Sequence, residues 1–152
     1  MSDGKDSNAK APIADPVKIM FAAMDGGQRI VETPWAIPLG SDRYELDNIL
    51  FLVRGISCGD VLSAVPGVDG RLEVRQLVSK SGNRTLRMTL HARSDQSRES
   101  ADILKALLDL GCDYEGRGYL RFAVNVPPNV EIAAVKSILE AKCATWEQAD
   151  PE

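Results

Sequence analysis

The sequence predicts an α+β protein with a β-rich front half, curled into a small sheet or partial barrel, and a back half of β-α-β-β-α-β order. Two observations predict it. Up to about residue 82, short apolar and β-branched runs alternate with glycine turns, the spacing of a strand-rich unit. After Ser97 the apolar repeat changes from every second residue to every third and fourth, the period of a helix packed on one face.

The elements follow in order. Residues 1–15 are polar with Pro and one isolated Ile, which predicts a disordered tail. VKIMFAAM from Val17 reads as a first strand, Asp25-Gly26-Gly27 as its turn, and RIVETPWAI as a second strand. Pro34 and Pro38 remove ladder donors, so that strand is an edge or is bent. RYELDNILFLV reads as a third strand, whose continuous apolar part, Ile49 to Val53, is expected to be buried on both faces. Arg54 would end it and reach the surface or a carboxylate such as Asp47. GISCGDVLSAV follows, then the hairpin signal Asp69-Gly70. RLEVRQLVSKSG and NRTLRMTLHAR are strands on either side of Ser81 to Asn83.

In the back half, Ala101, Leu104, Leu107 and Leu108 are expected to form the apolar face of a first helix, stopped by Gly111. CDYEGRGYLRFAVNV reads as a hairpin whose second strand alternates cleanly. Leu120, Phe122, Val124 and Val126 share one face, and Tyr119, Arg121, Ala123 and Asn125 the other. A second helix has Asn129 as its cap and Ile132, Val135, Ile138 and Leu139 as its stripe, and ATWEQA closes the chain as a last strand. That order is the ferredoxin-like pattern, a four-stranded antiparallel sheet with both helices on one face. The expected organisation is a tail over 1–15, a β-rich half over 16–82 and a ferredoxin-like half over 83–152, the two halves forming one compact unit through a shared sheet.

Composition narrows the function. The 152 residues carry 18 basic and 22 acidic side chains, a net charge of −4. A mildly acidic chain without a basic block is poorly suited to nucleic acid or a membrane surface. It remains suited to a protein partner, including a basic one. Cys58, Cys112 and Cys143 lie far apart and His91 is the sole histidine, so zinc-ligand spacing is lacking and no metal or cofactor is expected. The N-terminus has no apolar signal segment, and with the odd cysteine count this points to a reducing cytoplasm.

Few residues carry chemistry. Cys58-Gly59-Asp60 has a thiol beside an acid, but Asp60 disfavours a thiolate and His91 is 31 residues beyond it. A structural turn, with Gly59 in a strained conformation and Asp60 bonding the turn, explains the triplet better. Glu32, Asp47, Asp60 and Glu115 are candidate acid–base carboxylates of low specificity in a chain with this many acids. The alternation of TLRMTLH and YLRFAV gathers Arg87, His91, Tyr119 and Arg121 on the sheet face away from the helices, a basic surface either covered by the front half or open to an anionic ligand or partner. Only Tyr119 there can stack on a base, too few aromatics for RNA recognition. Trp35 is expected in the core, and Trp146 is open between core and partner anchor.

ETPWA at Glu32, YELDNILF at Tyr44, GISCGDVL at Gly55, SGNRTLR at Ser81 and LGCDYE at Leu110 together resemble the landmarks of a bacterial family catalogued as domain of unknown function 4265. In that pattern Trp35, Asp47, Asn48, Gly59 and Asp60 read as structural motif residues. Leu50 stands where the family usually has Pro. The resemblance implies a bacterial, cytoplasmic protein and no particular activity. A non-enzymatic binding protein is the expectation. The alternatives are an immunity-type protein neutralising a basic toxin, a small-ligand-binding regulatory domain, and a small hydrolase or transferase using carboxylates.

Overall fold

The computed structural model describes residues 14–90, 97–118, 120–142 and 145–151. The expected tail, His91, Arg93, Tyr119 and Cys143 lie outside these residues, apart from the tail's last two positions.

The front half is a curled sheet. Strand β1 (Val17–Asp25) turns through Gly26 and Gly27, both at positive φ, into β2 (Gln28–Glu32). Thr33 and Pro34 then break the strand, and β3 (Trp35–Gly40) continues along the same edge of β1, with Lys18 opposite Trp35. The bend expected at the prolines therefore falls at Pro34. Strands β4 (Arg43–Leu46), β5 (Val61–Pro66) and β6 (Leu72–Ser79) follow antiparallel. A short parallel pairing, Ile19 with Leu72 and Met20 with Glu73, brings β6 back to β1 and closes a small barrel. Its core is Ile19, Phe21, Ala36, Leu46, Leu50, Val53, Leu62 and Ala64, mostly aliphatic as the scarcity of aromatics requires.

The second sheet has the order β10-β7-β9-β8, all antiparallel: β7 (Arg84–Thr89), β8 (Asp113–Arg117), β9 (Arg121–Val126) and β10 (Thr145–Asp150). Helices α1 (Ser97–Leu110) and α2 (Ile132–Lys142) separate β7 from β8 and β9 from β10. Leu86, Met88 and Leu90 from β7 and its end, with Val124 and Val126 from β9, pack against Ile103, Leu107, Val135 and Leu139 of the helices. Alternation places these apolar side chains on one face, as expected. Helix α1 ends in a Schellman motif: Cys112 N–H reaches Leu107 C=O at 3.0 Å, Gly111 N–H reaches Leu108 C=O at 2.9 Å, and Gly111 has φ of 101°.

Four expectations are corrected. The halves do not share a sheet: each has its own sheet and its own core. The apolar face of α1 is Ile103, Leu104 and Leu107, while Ala101 and Leu108 are exposed. Asn129 lies in a turn before α2 rather than at its cap. The third strand stops at Leu46, and Ile49 to Val53 is a loop, although Ile49, Leu50 and Val53 are buried. A continuous apolar run signals burial, and the backbone partners that would make it a strand are side chains here.

Candidate functional site

Residues 47–60 leave the barrel between β4 and β5 and lie over the face of the second sheet opposite its helices. The base of this loop is pinched: Leu46 N–H donates to Asp60 C=O at 2.9 Å, and Gly59 N–H to Leu46 C=O at 2.8 Å. Buried backbone needs partners, and here they are charged side chains on either flank. Glu32, from the end of β2, is 8% exposed and accepts from the amides of Phe51, Leu52 and Val53 at 2.7, 3.0 and 3.1 Å. Arg87, on β7, donates to the carbonyls of Leu50 and Leu52 at 3.2 and 3.4 Å and to that of Val53. A carboxylate thus takes the amides and a guanidinium the carbonyls of one peptide run. Burial lowers the pKa of Arg87, the charges of Glu147 and Glu32 oppose that, and Arg54 adds to it.

The loop's two ends are held by polar groups of both halves. Asn48 accepts from Trp35 N–H at 2.6 Å and donates to Glu115 at 3.0 Å. Glu115, on β8, also accepts from Ile49 N–H at 3.4 Å. Arg54 pairs with Glu147 on β10 at 2.6 Å, a carboxylate other than the expected Asp47, which is exposed. Gly55 N–H donates to Ala149 C=O at 2.8 Å. Deeper in, Lys80 Nζ sits between Asp60 at 2.7 Å and Asp150 at 2.5 Å and donates to Gly55 C=O at 3.0 Å. Both carboxylates are buried. Burial pulls the Lys80 ammonium down, but the hydrogen bonds to Asp150 and Asp60 and their charges outweigh it, so its pKa lies above the ordinary 10.5. Ser57 Oγ bridges Asp150 at 2.5 Å and Thr85 at 2.6 Å.

The Cys-Gly-Asp triplet forms the turn at the base of the loop. Asp60 accepts from Ser57 N–H at 2.9 Å and Ser81 N–H at 2.8 Å. Gly59 has φ of 84°, and a Cβ there would lie 3.0 Å from Ser81 Cβ. Burial first, then the charges of Asp47, Glu115, Asp113 and Glu45, push the Cys58 thiol up to about 11, so it is not a thiolate at neutral pH.

Of the residues the sequence placed on the basic sheet face, Arg87 is covered by the loop, with its side chain 11% exposed, while Arg121 is exposed. Beside them, Phe51, Thr89, Thr145 and Glu147 help line a groove of about 200 Å³. Trp35 is 45% exposed, contrary to the core position expected of it, and Lys18 Nζ lies 4.3 Å from its ring centroid. It sits on the outside of β3 because Ala36, its neighbour, takes the inward position. Trp146 packs on the helix side of the second sheet. Among the described residues no cluster of three or more His, Cys, Asp or Glu side chains is arranged to hold a metal ion. Sequence reasoning missed Glu32 as a backbone ligand and missed Ser57, Lys80, Thr85, Glu147 and Asp150 altogether. The TWEQAD strand gave one signal, an acid at its third position, Glu147, and another at its end, Asp150, but no spacing ties them to Ser57 or Lys80.

The five stretches that carry the family resemblance therefore meet at one place: Glu32, Asn48, Asp60, Ser81, Arg87 and Glu115 all bind the 47–60 loop or its base. A structure titled as that of a hypothetical protein from Neisseria gonorrhoeae is similar to the chain, with a TM-score of 0.74 at 16% identity over 93% of this chain and 96% of that one. At that identity the likeness concerns the fold. No curated protein matches the chain. No helix among the described residues is long and apolar enough to cross a membrane. The family model for Domain of unknown function (DUF4265) matches residues 32–148, and with its landmark residues gathered around one loop the chain belongs to that family.

Proposed function

We propose that the protein binds a ligand or partner through the groove beside Phe51 and performs no chemistry of its own. One observation carries this reading. Of the four carboxylates that offered chemistry in the sequence, Glu32, Asp60 and Glu115 each hold backbone amides of the 47–60 loop or its base while Asp47 lies exposed, and Cys58 is an uncharged thiol. The loop so held is a rigid wall for the groove, which stays open beside it.

A small-ligand-binding regulatory domain is the second reading. The back half supports it, since the order β10-β7-β9-β8 with two helices on one face is what a ferredoxin-like unit requires. A cytoplasmic setting agrees with Cys58 and Cys112 being free thiols. An immunity-type role against a basic partner draws support from the net charge of −4, whereas the groove itself presents arginine.

The test is affinity capture from the native host, run in parallel with wild-type protein and a Phe51→Ala variant of equal melting temperature. A species captured by the first and lost from the second supports the reading. Identical captures remove the groove as the binding surface.

A further inference from the structure

We propose that the groove is a subsite for a small organic anion, a carboxylate or phosphate monoester carrying a short apolar body. This rests on the groove being the binding surface. The registers place Thr145 opposite Thr89 and Thr89 opposite Arg121, so one guanidinium and two hydroxyls form a row across β10, β7 and β9. Neighbouring strands are about 4.8 Å apart, which spreads these donors over roughly 10 Å. All three side chains are on the face away from the helices and exposed. None has a hydrogen-bond or ion-pair partner among the described residues, whereas the cations behind them, Arg87 and Arg54, share Glu147 at 3.7 and 2.6 Å.

Charge adds a second argument. Arg117 stands directly opposite Arg121 across β8 and β9. Like charges opposed in a sheet are unfavourable unless something neutralises them, and Arg117 is itself turned over the Phe51 ring, 4.9 Å from its centroid. Among the described residues the sole acid lining the groove is Glu147, which faces Arg54 and Arg87. An anion seated at Arg121 supplies the missing counter-charge. A divalent cation would find one carboxylate there, already paired, against the several oxygens it needs.

Size and shape set the class. A volume of about 200 Å³ is below the 300–1,000 Å³ of a typical drug-sized site and equals roughly seven waters. It accommodates an acid head group with a compact body against Phe51, and not a nucleotide or a peptide.

The experiment is titration of the full chain with three probes, phenyl phosphate, benzoate and inorganic phosphate, followed by calorimetry, for wild type, Arg121→Gln and Thr89→Val. Both substitutions are at exposed positions, and equal melting temperatures confirm folding. Saturable millimolar or tighter binding of phenyl phosphate or benzoate, weakened at least about tenfold in Arg121→Gln, is expected from the loss of a charged hydrogen bond. The stronger of the two probes identifies the head group, and weaker binding of inorganic phosphate assigns a share to the Phe51 wall. Equal affinity of wild type and Arg121→Gln, or no saturable binding of any probe, overturns the subsite. A captured partner that Phe51→Ala loses and Arg121→Gln keeps would leave the groove a binding surface without the anion subsite.

Discussion

Glu32 shows how much one side chain organises. Three amides converge on its carboxylate, and hydrogen bonds to a charged acceptor are stronger than neutral ones. Glu32→Gln keeps the shape but replaces one acceptor oxygen by a donor facing amides. It should lower stability by about 2–3 kcal/mol, measured by urea denaturation. A change below about 0.5 kcal/mol would mean the loop does not depend on this group. Gly59 is the other single-residue constraint. Gly59→Val meets both a positive φ and Ser81, and should cost about 2–4 kcal/mol, whereas Cys58→Ser at the adjacent position should leave the melting temperature nearly unchanged. Lys80 gives a pH signature. Its pKa is raised above 10.5, so its stabilisation is complete below that value and is lost as pH rises through the higher folded value. Wild type should therefore lose stability above pH 10.5 more steeply than Lys80→Met, whose neutral side chain has nothing to titrate. At neutral pH Lys80→Met should already be weaker by about 2 kcal/mol, less than for a fully buried pair because the ammonium keeps solvent access. Parallel curves above that pH would refute the linkage.

Among the elements, α1 separates what is periodic from what is buried. Ala101, Leu104 and Leu108 fit the helical period, yet the buried residues are Ile103 and Leu107 with Leu104 beside them. Leu107→Asp should be severely destabilising because its carboxylate would have no partner in the core. Leu108→Asp should change stability by less than about 1 kcal/mol, since that side chain is 49% exposed. Thermal melts of the two variants decide between the faces. The strands were legible for the reason the helix face was only half so. In β7 and β9, period two leaves each residue two possible sides, and Leu86, Met88, Val124 and Val126 settle which. In a helix an apolar stripe is broad, and a Leu at its margin reads the same whether covered or bare. The 49–53 run was illegible in another way. Its hydrophobicity announced burial correctly, but a strand and a loop bury the same residues. What distinguishes them is Glu32 and Arg87, far away in sequence, with nothing in their neighbourhoods to mark them as backbone ligands. The candidate site was legible to the same degree: Arg87 and Arg121 were found by alternation, while Phe51 and Thr145 enter the groove through the loop and through β10.

For the molecule as a whole, the two cores are bridged by the 47–60 loop, whose contacts reach β2, β7, β8 and β10. We propose that this makes the halves one cooperative unit. Each half has its own tryptophan, Trp35 on the barrel and Trp146 on the second sheet. Fluorescence of Trp146→Phe and Trp35→Phe proteins should therefore report the halves separately, and their urea midpoints should coincide. Asp150→Ala removes the carboxylate that joins Lys80 and Ser57 to β10, and should separate the two midpoints. Different midpoints without that substitution would show that the halves unfold independently.

The distance in sequence between Ser57 and Asp150, 93 residues, has a consequence for how the chain is made. At roughly 5–20 residues per second, translation needs on the order of 5–20 s to deliver the second after the first. The barrel strands are all available long before that, so until β7 brings Arg87 the emerging protein is expected to hold its central loop from the Glu32 side alone, with its carbonyls still facing water. Strand β10 emerges later still and carries Glu147, Ala149 and Asp150, whose bonds to Arg54, Gly55 and Ser57 close the far end of the loop. Nascent chains stalled before residue 84 should be cut within 47–60 by a protease that leaves the finished protein intact at that site.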